Sequence, residues 1–306
     1  MTAIFFSILA ALSAALSNLF FRINSQKTAS TNQNPSGYLL FFYFTCFVLT
    51  FSLYPQIFYE KLSYLMLAMG VAVGILNILL MTLTSRALQK GPAGLTFAFQ
   101  NTSAVFPGMI LFMLFGTEYG FTFSFPKLIG ILLVIYGLFV GAKNESSSSS
   151  KTSSIFQWLK YAVACFGVQV FALTLIQARC IFCPAETQSP AVSSGLASCE
   201  DICFMLGQFG AAFLIQLIYH FSQMQFKLPK LSLYGTLGGF SNFASTCMLL
   251  LATKWAMPYE KGILFPCFAV ATIIACNTWA NRLYGEKFNL SSNATCACGV
   301  LLGLVA

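Results

Sequence analysis

The apolar stretch GPAGLTFAFQNTSAVFPGMILFMLFGTE, residues 91–118, carries Gln100, Asn101 and Thr102 near its middle and Pro107 just beyond. Amides and hydroxyls hydrogen-bond polar solutes, and a proline removes one backbone bond and loosens a helical turn. On a helix, positions i, i+4 and i+7 share a face. Thr96, Gln100 and Ser103 therefore form one polar stripe that Pro107 continues, with Asn101 flanking it about 100° round. Two arrangements suit such a stripe: a path for a solute, or a hydrogen-bonded seam between helices.

Other polar residues interrupt apolar runs in the same way. They are Asn18 with Ser13 and Ser17, Asn77, Gln169, Asn242 with Ser241 and Ser245, and Asn277 close to Trp279. An amide in an apolar medium is costly unless it is partnered or wet. Phe99, Phe166 and Phe265 lie nearby and offer flat faces for stacking, besides ordinary packing. The expected substrate-binding set is Asn18, Asn77, Phe99, Gln100, Asn101, Gln169, Asn242, Ser245, Asn277 and Trp279.

Ionisable groups are scarce. Glu200 and Asp201 are adjacent at the start of an apolar run, where carboxylates favour a helix N-terminus. Cys180, Cys183, Cys199 and Cys203 cluster around one loop, which allows a disulfide in an oxidising compartment or plain thiols. Zinc spacing is missing and the one histidine, His220, is remote, so neither metal nor cofactor is expected. A membrane-embedded enzyme would need a general base or a metal. The sequence has neither an H-x-x-x-H motif nor paired intramembrane aspartates.

The elements holding these residues follow from composition. The chain has 306 residues, 58% hydrophobic and 8% charged, where a soluble domain carries about 25% charged. A polytopic, all-α membrane protein is the class that fits. About 20 mainly apolar residues cross the hydrocarbon as a helix. Ten such runs are expected near 2–22, 37–58, 62–85, 92–116, 125–143, 155–179, 195–221, 231–253, 259–283 and 291–306. The first has no basic start and no A-x-A site, so it reads as a retained helix. The net charge of +8 comes from 16 basic residues scattered between runs, which suits loops that orient helices and not a nucleic-acid partner. Alternate loops hold eleven basic residues against five, which favours both termini outside.

The Ser-rich segment 145–154 reads as a linker between residues 1–144 and 155–306, five runs on each side. An odd number per half starts the second half from the opposite side, the arithmetic of an inverted repeat. The third and eighth runs both read G-x-x-x-G-x-x-N, as Gly70, Gly74, Asn77 and Gly235, Gly239, Asn242, at a constant offset of 165. Small residues four apart let helix backbones approach closely in lipid.

The stretch from Ala87 to Gly137 resembles the repeat unit of the drug/metabolite transporter superfamily, EamA type. It has Ala87-Leu88, Pro92-Ala93, Pro107, Gly116-Thr117-Glu118, and Gly130 and Gly137 seven apart. Ala256, Pro258, Pro266, Gly285-Glu286 and Gly299 form a fainter copy. The resemblance implies a central cavity between two inverted halves in a bacterial inner membrane. It also implies transport of a small metabolite: an amino acid, a nucleotide sugar, or S-adenosylmethionine in exchange for S-adenosylhomocysteine. Thr117 departs from the family's tight G-E pair. The first run lacks the buried glutamate of the four-helix relatives, which points to facilitated transport or exchange in place of direct proton coupling.

Overall fold

The computed structural model describes residues 2–31, 36–53, 62–91, 93–116, 124–146, 152–182, 199–223, 232–256, 258–285 and 290–304. Among them there is no β-strand. The helices are α1 (Thr2–Thr31), α2 (Ser36–Leu53), α3 (Tyr64–Lys90), α4 (Ala93–Thr102), α5 (Phe106–Phe115), α6 (Phe125–Ser146), α7 (Thr152–Phe182), α8 (Cys199–Gln223), α9 (Leu233–Trp255), α10 (Pro258–Tyr284) and α11 (Leu290–Leu304). A 3₁₀ turn, Ser103–Val105, joins α4 to α5.

Several helices outrun the apolar runs expected from sequence. α1 continues past Arg22 to Thr31, because no proline or glycine interrupts it there. Hydropathy ends where the hydrocarbon ends, whereas a helix ends at a breaker. α3 shows the breaker: Gly91 is extended and donates its N–H to the Ala87 carbonyl at 3.0 Å. The residue before a proline, here Pro92, avoids the helical region. The expected linker is shorter than 145–154, since α6 runs to Ser146 and α7 starts at Thr152. α5 and α10 end alike, on Gly116 (φ 69°) and Gly285 (φ 64°), whose N–H groups return to Phe112 at 2.8 Å and Asn281 at 3.0 Å. Glycine takes this left-handed conformation without a Cβ penalty.

Among the described residues, seven segments are long and apolar enough to cross a membrane: Ala3–Gln26, Ser36–Leu53, Tyr64–Lys90, Thr96–Phe115, Phe156–Arg179, Glu200–Ser222 and Leu264–Tyr284. The protein is therefore an all-helical integral membrane protein. α9, diluted by polar residues, and α11, with 15 residues, fall short of that measure, and α6 contributes the apolar stretch Leu128–Gly137. Outward faces carry large apolar side chains at helical spacing, such as Phe5, Ile8, Leu12 and Leu16 on α1 and Val71, Ile75 and Leu79 on α3. Exposed stripes of this kind belong in lipid.

The pairings are specific. α1 packs on α9 and α10, while α7 packs on α3, α4 and α5; α3 packs on α8, while α9 packs on α2; α2 meets α8, α6 meets α11, and α4 meets α10. Glycines set the close approaches. A Cβ on Gly70 or Gly74 would strike the backbone of Phe204 or Gln208 on α8, and one on Gly235 or Gly239 would strike that of Tyr38 or Phe42 on α2. Side chains then bond across to backbone carbonyls: Ser7 to Leu264 at 2.9 Å, Ser17 to Gly238 at 3.1 Å, Ser245 to Ala10 at 2.8 Å and Ser292 to Gly137 at 2.6 Å. Such polar contacts and small residues hold helices together where lipid supplies no hydrophobic drive.

Candidate functional site

The polar run in the fourth segment builds the helix break. Pro107 has no N–H to offer Ser103, and the Phe106 N–H bonds that carbonyl instead. Three side chains turn back onto their own backbone: Asn101 Nδ2 to Phe97 at 2.7 Å, Thr102 to Ala98 at 2.7 Å and Ser103 to Gln100 at 2.6 Å. The rest of the stripe faces neighbours. The Trp158 indole donates to Thr96 at 2.9 Å, tying α7 to α4. The Thr84 hydroxyl on α3 bonds the Leu80 carbonyl at 2.8 Å and lies 3.2 Å from Gln100 Oε1 and 3.5 Å from the Cys165 sulfur on α7. The stripe is thus a seam joining α3, α4 and α7. Phe99 packs edge-on against Trp158 and Phe166, each with centroids 6.3 Å apart, so its ring is part of that seam.

A different set of amides surrounds the central apolar core. That core gathers Ala15, Tyr43, Phe97, Phe209, Phe243 and Cys276 from α1, α2, α4, α8, α9 and α10. Asn18 Nδ2 lies 3.6 Å from the Cys276 sulfur, and Asn242 Nδ2 lies 3.8 Å from the Cys46 sulfur. Both amides are half-buried. Thiols are weak acceptors, so these donors are only loosely held. Asn77 is half-buried and has no hydrogen-bond partner among the described residues. Gln169 keeps a buried Oε1 without a partner. Trp279 meets Phe97 edge-on at 5.9 Å. Ser245 is spent on the Ala10 carbonyl, and Asn277 is half-buried on α10. The structure thus gathers Asn18, Asn242 and Trp279 about one core, and places Gln100 and Phe99 in the seam and the Asn101 amide on the backbone of its own helix.

The difference between Asn77 and Asn242 has a local cause. Each follows a glycine pair that packs on another helix. Cys46 on α2 is within reach of Asn242 and donates to the Gly239 carbonyl at 3.1 Å. On α8, Gly74 packs on Gln208 and Ala211, and the Gln208 Oε1 is buried without a partner among the described residues.

Sequence reasoning missed two arginines. Arg179, 5% exposed, forms an ion pair with Asp201, bonds Thr253 at 3.2 Å and lies over the Phe204 ring at 5.5 Å. Asp201, with Glu200, stands in the first turn of α8. The available signal was an arginine closing one apolar run and an acid opening the next. Arg22 donates to the Leu88 carbonyl at 2.6 Å and lies over Tyr284 at 5.6 Å. Its target, like Thr253, stands near the end of its helix, and the two targets share the 165-residue offset of the glycine motif. His220 is buried, 3.0 Å from the Ser36 hydroxyl, with Gln216 donating to the Ser36 carbonyl at 3.1 Å. Among the described residues, no group of His, Cys, Asp or Glu is arranged to hold a metal. Cys203 is buried and free; pairing of Cys180, Cys183 and Cys199 lies outside the described side chains.

These features define a class: a helical membrane protein with weakly held amides around an aromatic core. No family model matches the chain, and no curated protein does. Sixteen chains of solved structures match it in fold. One, a crystal structure of a protein described no further, aligns with a TM-score of 0.54 at 13% identity, covering 97% of this chain and 95% of that one. At that identity the likeness speaks for the fold alone.

Proposed function

We propose that the protein is a secondary transporter for a small polar metabolite, of the drug/metabolite transporter superfamily, EamA type. In this reading all ten helical segments cross the membrane, α4 and α5 together making one, and the second five invert the first. The packing supports it. Exchanging the two sets of five segments turns α1–α9 contact into α7–α3, α3–α8 into α9–α2, and α1–α10 into α7 against α4 and α5, all of which exist. The paired glycine contacts and the matching Gly116 and Gly285 ends follow the same exchange. Alternating access would come from rocking one half against the other.

The observation that carries the reading is the state of the mid-helix amides. Asn18 and Asn242 donate only to sulfurs, and Asn77 and Gln169 have unused capacity. A dry structural network leaves few polar groups idle. Donors held this weakly exchange a thiol for a ligand oxygen at little cost. The aromatic core suits a planar or cationic portion. These features fit a zwitterionic solute. S-adenosylmethionine exchanged for S-adenosylhomocysteine is the leading candidate, with amino acids and nucleotide sugars next. An inner-membrane location with both termini outside goes with this reading. Counterflow in proteoliposomes tests it: internal unlabelled S-adenosylhomocysteine should accelerate uptake of labelled S-adenosylmethionine. Uptake no faster than in protein-free liposomes, for this pair and for amino acids and nucleotide sugars, would overturn it.

A further inference from the structure

A groove of about 710 Å³ runs between α1 and α10 on the outer surface of the bundle. Leu12, Ile274 and Leu283 expose their side chains along it. Thr278 adds only carbon, because its hydroxyl is bonded to the Ile274 carbonyl at 2.7 Å. Trp279 forms part of the wall, and Arg282 stands at one end, exposed and without a partner among the described residues. From Ala271 to Leu283 the groove follows α10 for about 18 Å at 1.5 Å per residue. One leaflet of hydrocarbon is about 15 Å deep, half the bilayer core. The groove therefore has the length of an acyl chain and a cation where the headgroup begins.

Further basic residues lie on neighbouring helices. Contacts of Arg22 with Leu88 and Tyr284, and of Trp158 with Thr96, bring together the ends of α1, α3 and α10 and the starts of α4 and α7. Arg86, Lys90 and Arg282 lie in the last turns of α3 and α10, Arg22 lies nine residues before the end of α1, and Lys160 lies eight residues into α7. We propose that this groove is a binding site for one anionic phospholipid, its acyl chain lying along α1 and α10 and its phosphate on Arg282. A guanidinium matches phosphate oxygens in pairs, which an exposed lysine does not. A bound chain would also rest on Trp279, whose ring meets Phe97 and Tyr284.

The test uses the full chain purified in detergent with phosphatidylglycerol or phosphatidylcholine. Lipid retained through delipidation is counted by native mass spectrometry, with gel filtration as a check on folding. The wild type should keep one phosphatidylglycerol and lose phosphatidylcholine. Arg282→Gln should weaken that retention about tenfold, the loss of one charge-assisted contact, and Arg282→Lys should recover part of it. Thr278→Trp, which fills the groove from an exposed position, should abolish retention of phosphatidylglycerol without changing charge. Equal retention of the two lipids by the wild type, or unchanged phosphatidylglycerol binding in Arg282→Gln, would overturn the site, including when Thr278→Trp fails to fold.

Discussion

The Asn242 amide nitrogen lies 3.8 Å from the Cys46 sulfur, and that sulfur donates to the Gly239 carbonyl at 3.1 Å. One thiol thus serves both the helix contact between α2 and α9 and an amide beside the central core. The amide is the weaker of the two attachments. Asn242→Ala should accordingly leave thermal stability within about 1 kcal/mol, the range of a single modest hydrogen bond. Transport should fall about tenfold if the amide binds the solute. Asn18→Ala, which loses the Cys276 contact, should behave alike. Initial uptake rates and thermal unfolding measured on the same preparation check both. A large loss of stability with transport per folded molecule intact would assign these amides to packing.

Arg179 and Asp201 make the opposite prediction. Their side chains are 5% and 12% exposed, so removing one partner leaves a charge buried. Asp201→Asn should destabilise the protein by about 3–5 kcal/mol. Pairing it with Arg179→Met should recover most of that loss, because no charge is then stranded. Thermal unfolding of the two single variants and the double variant in detergent gives the comparison. Additive losses would mean that the pair is not coupled.

The glycine contacts predict matched effects in the two halves. Gly74→Leu and Gly239→Leu each drive a side chain into the backbone of a facing helix, at Gln208 or Phe42. Overpacking of this kind costs about 1–3 kcal/mol, more where backbone must move. Gly108→Ala meets nothing within 4 Å and should be silent apart from a small gain in helix propensity. Melting temperatures of the three variants decide the matter. A severe loss at Gly74 beside none at Gly239 would break the equivalence of the halves.

The Trp158 indole donates to Thr96 at 2.9 Å and covers Gly91 at the end of α3. Trp158→Phe keeps most of the ring and loses the donor. The expected cost is about 1 kcal/mol, and Thr96→Val should add little on top of it. A double-mutant cycle on thermal stability measures the coupling. Full additivity would show that the seam between α4 and α7 rests on ring packing alone.

Helix positions were legible because apolar length and glycine spacing are local signals. The two G-x-x-x-G motifs announced close packing, and both glycine pairs make it. Helix ends were less legible, since α1 and α3 continue beyond the hydrocarbon until a proline or glycine stops them. The role of the Gln100 stripe was ambiguous in the sequence. A seam and a path need the same side chains on one face, and only the positions of Thr84 and Trp158 separate them. The Arg179–Asp201 pair was hidden for another reason. Each residue alone is ordinary at a helix end, and their meeting depends on how α7 and α8 fold together.

The account rests on water reaching the mid-membrane amides from each face in turn. Asn77→Cys tests this most directly, since Asn77 is half-buried near the middle of α3. In oriented vesicles, with the parent protein as background, a membrane-impermeant thiol reagent is applied from one face and then from the other. Labelling should occur from both faces, with a ratio that shifts when transported solute is added. No labelling above background from either face, with the protein folded, would contradict the account.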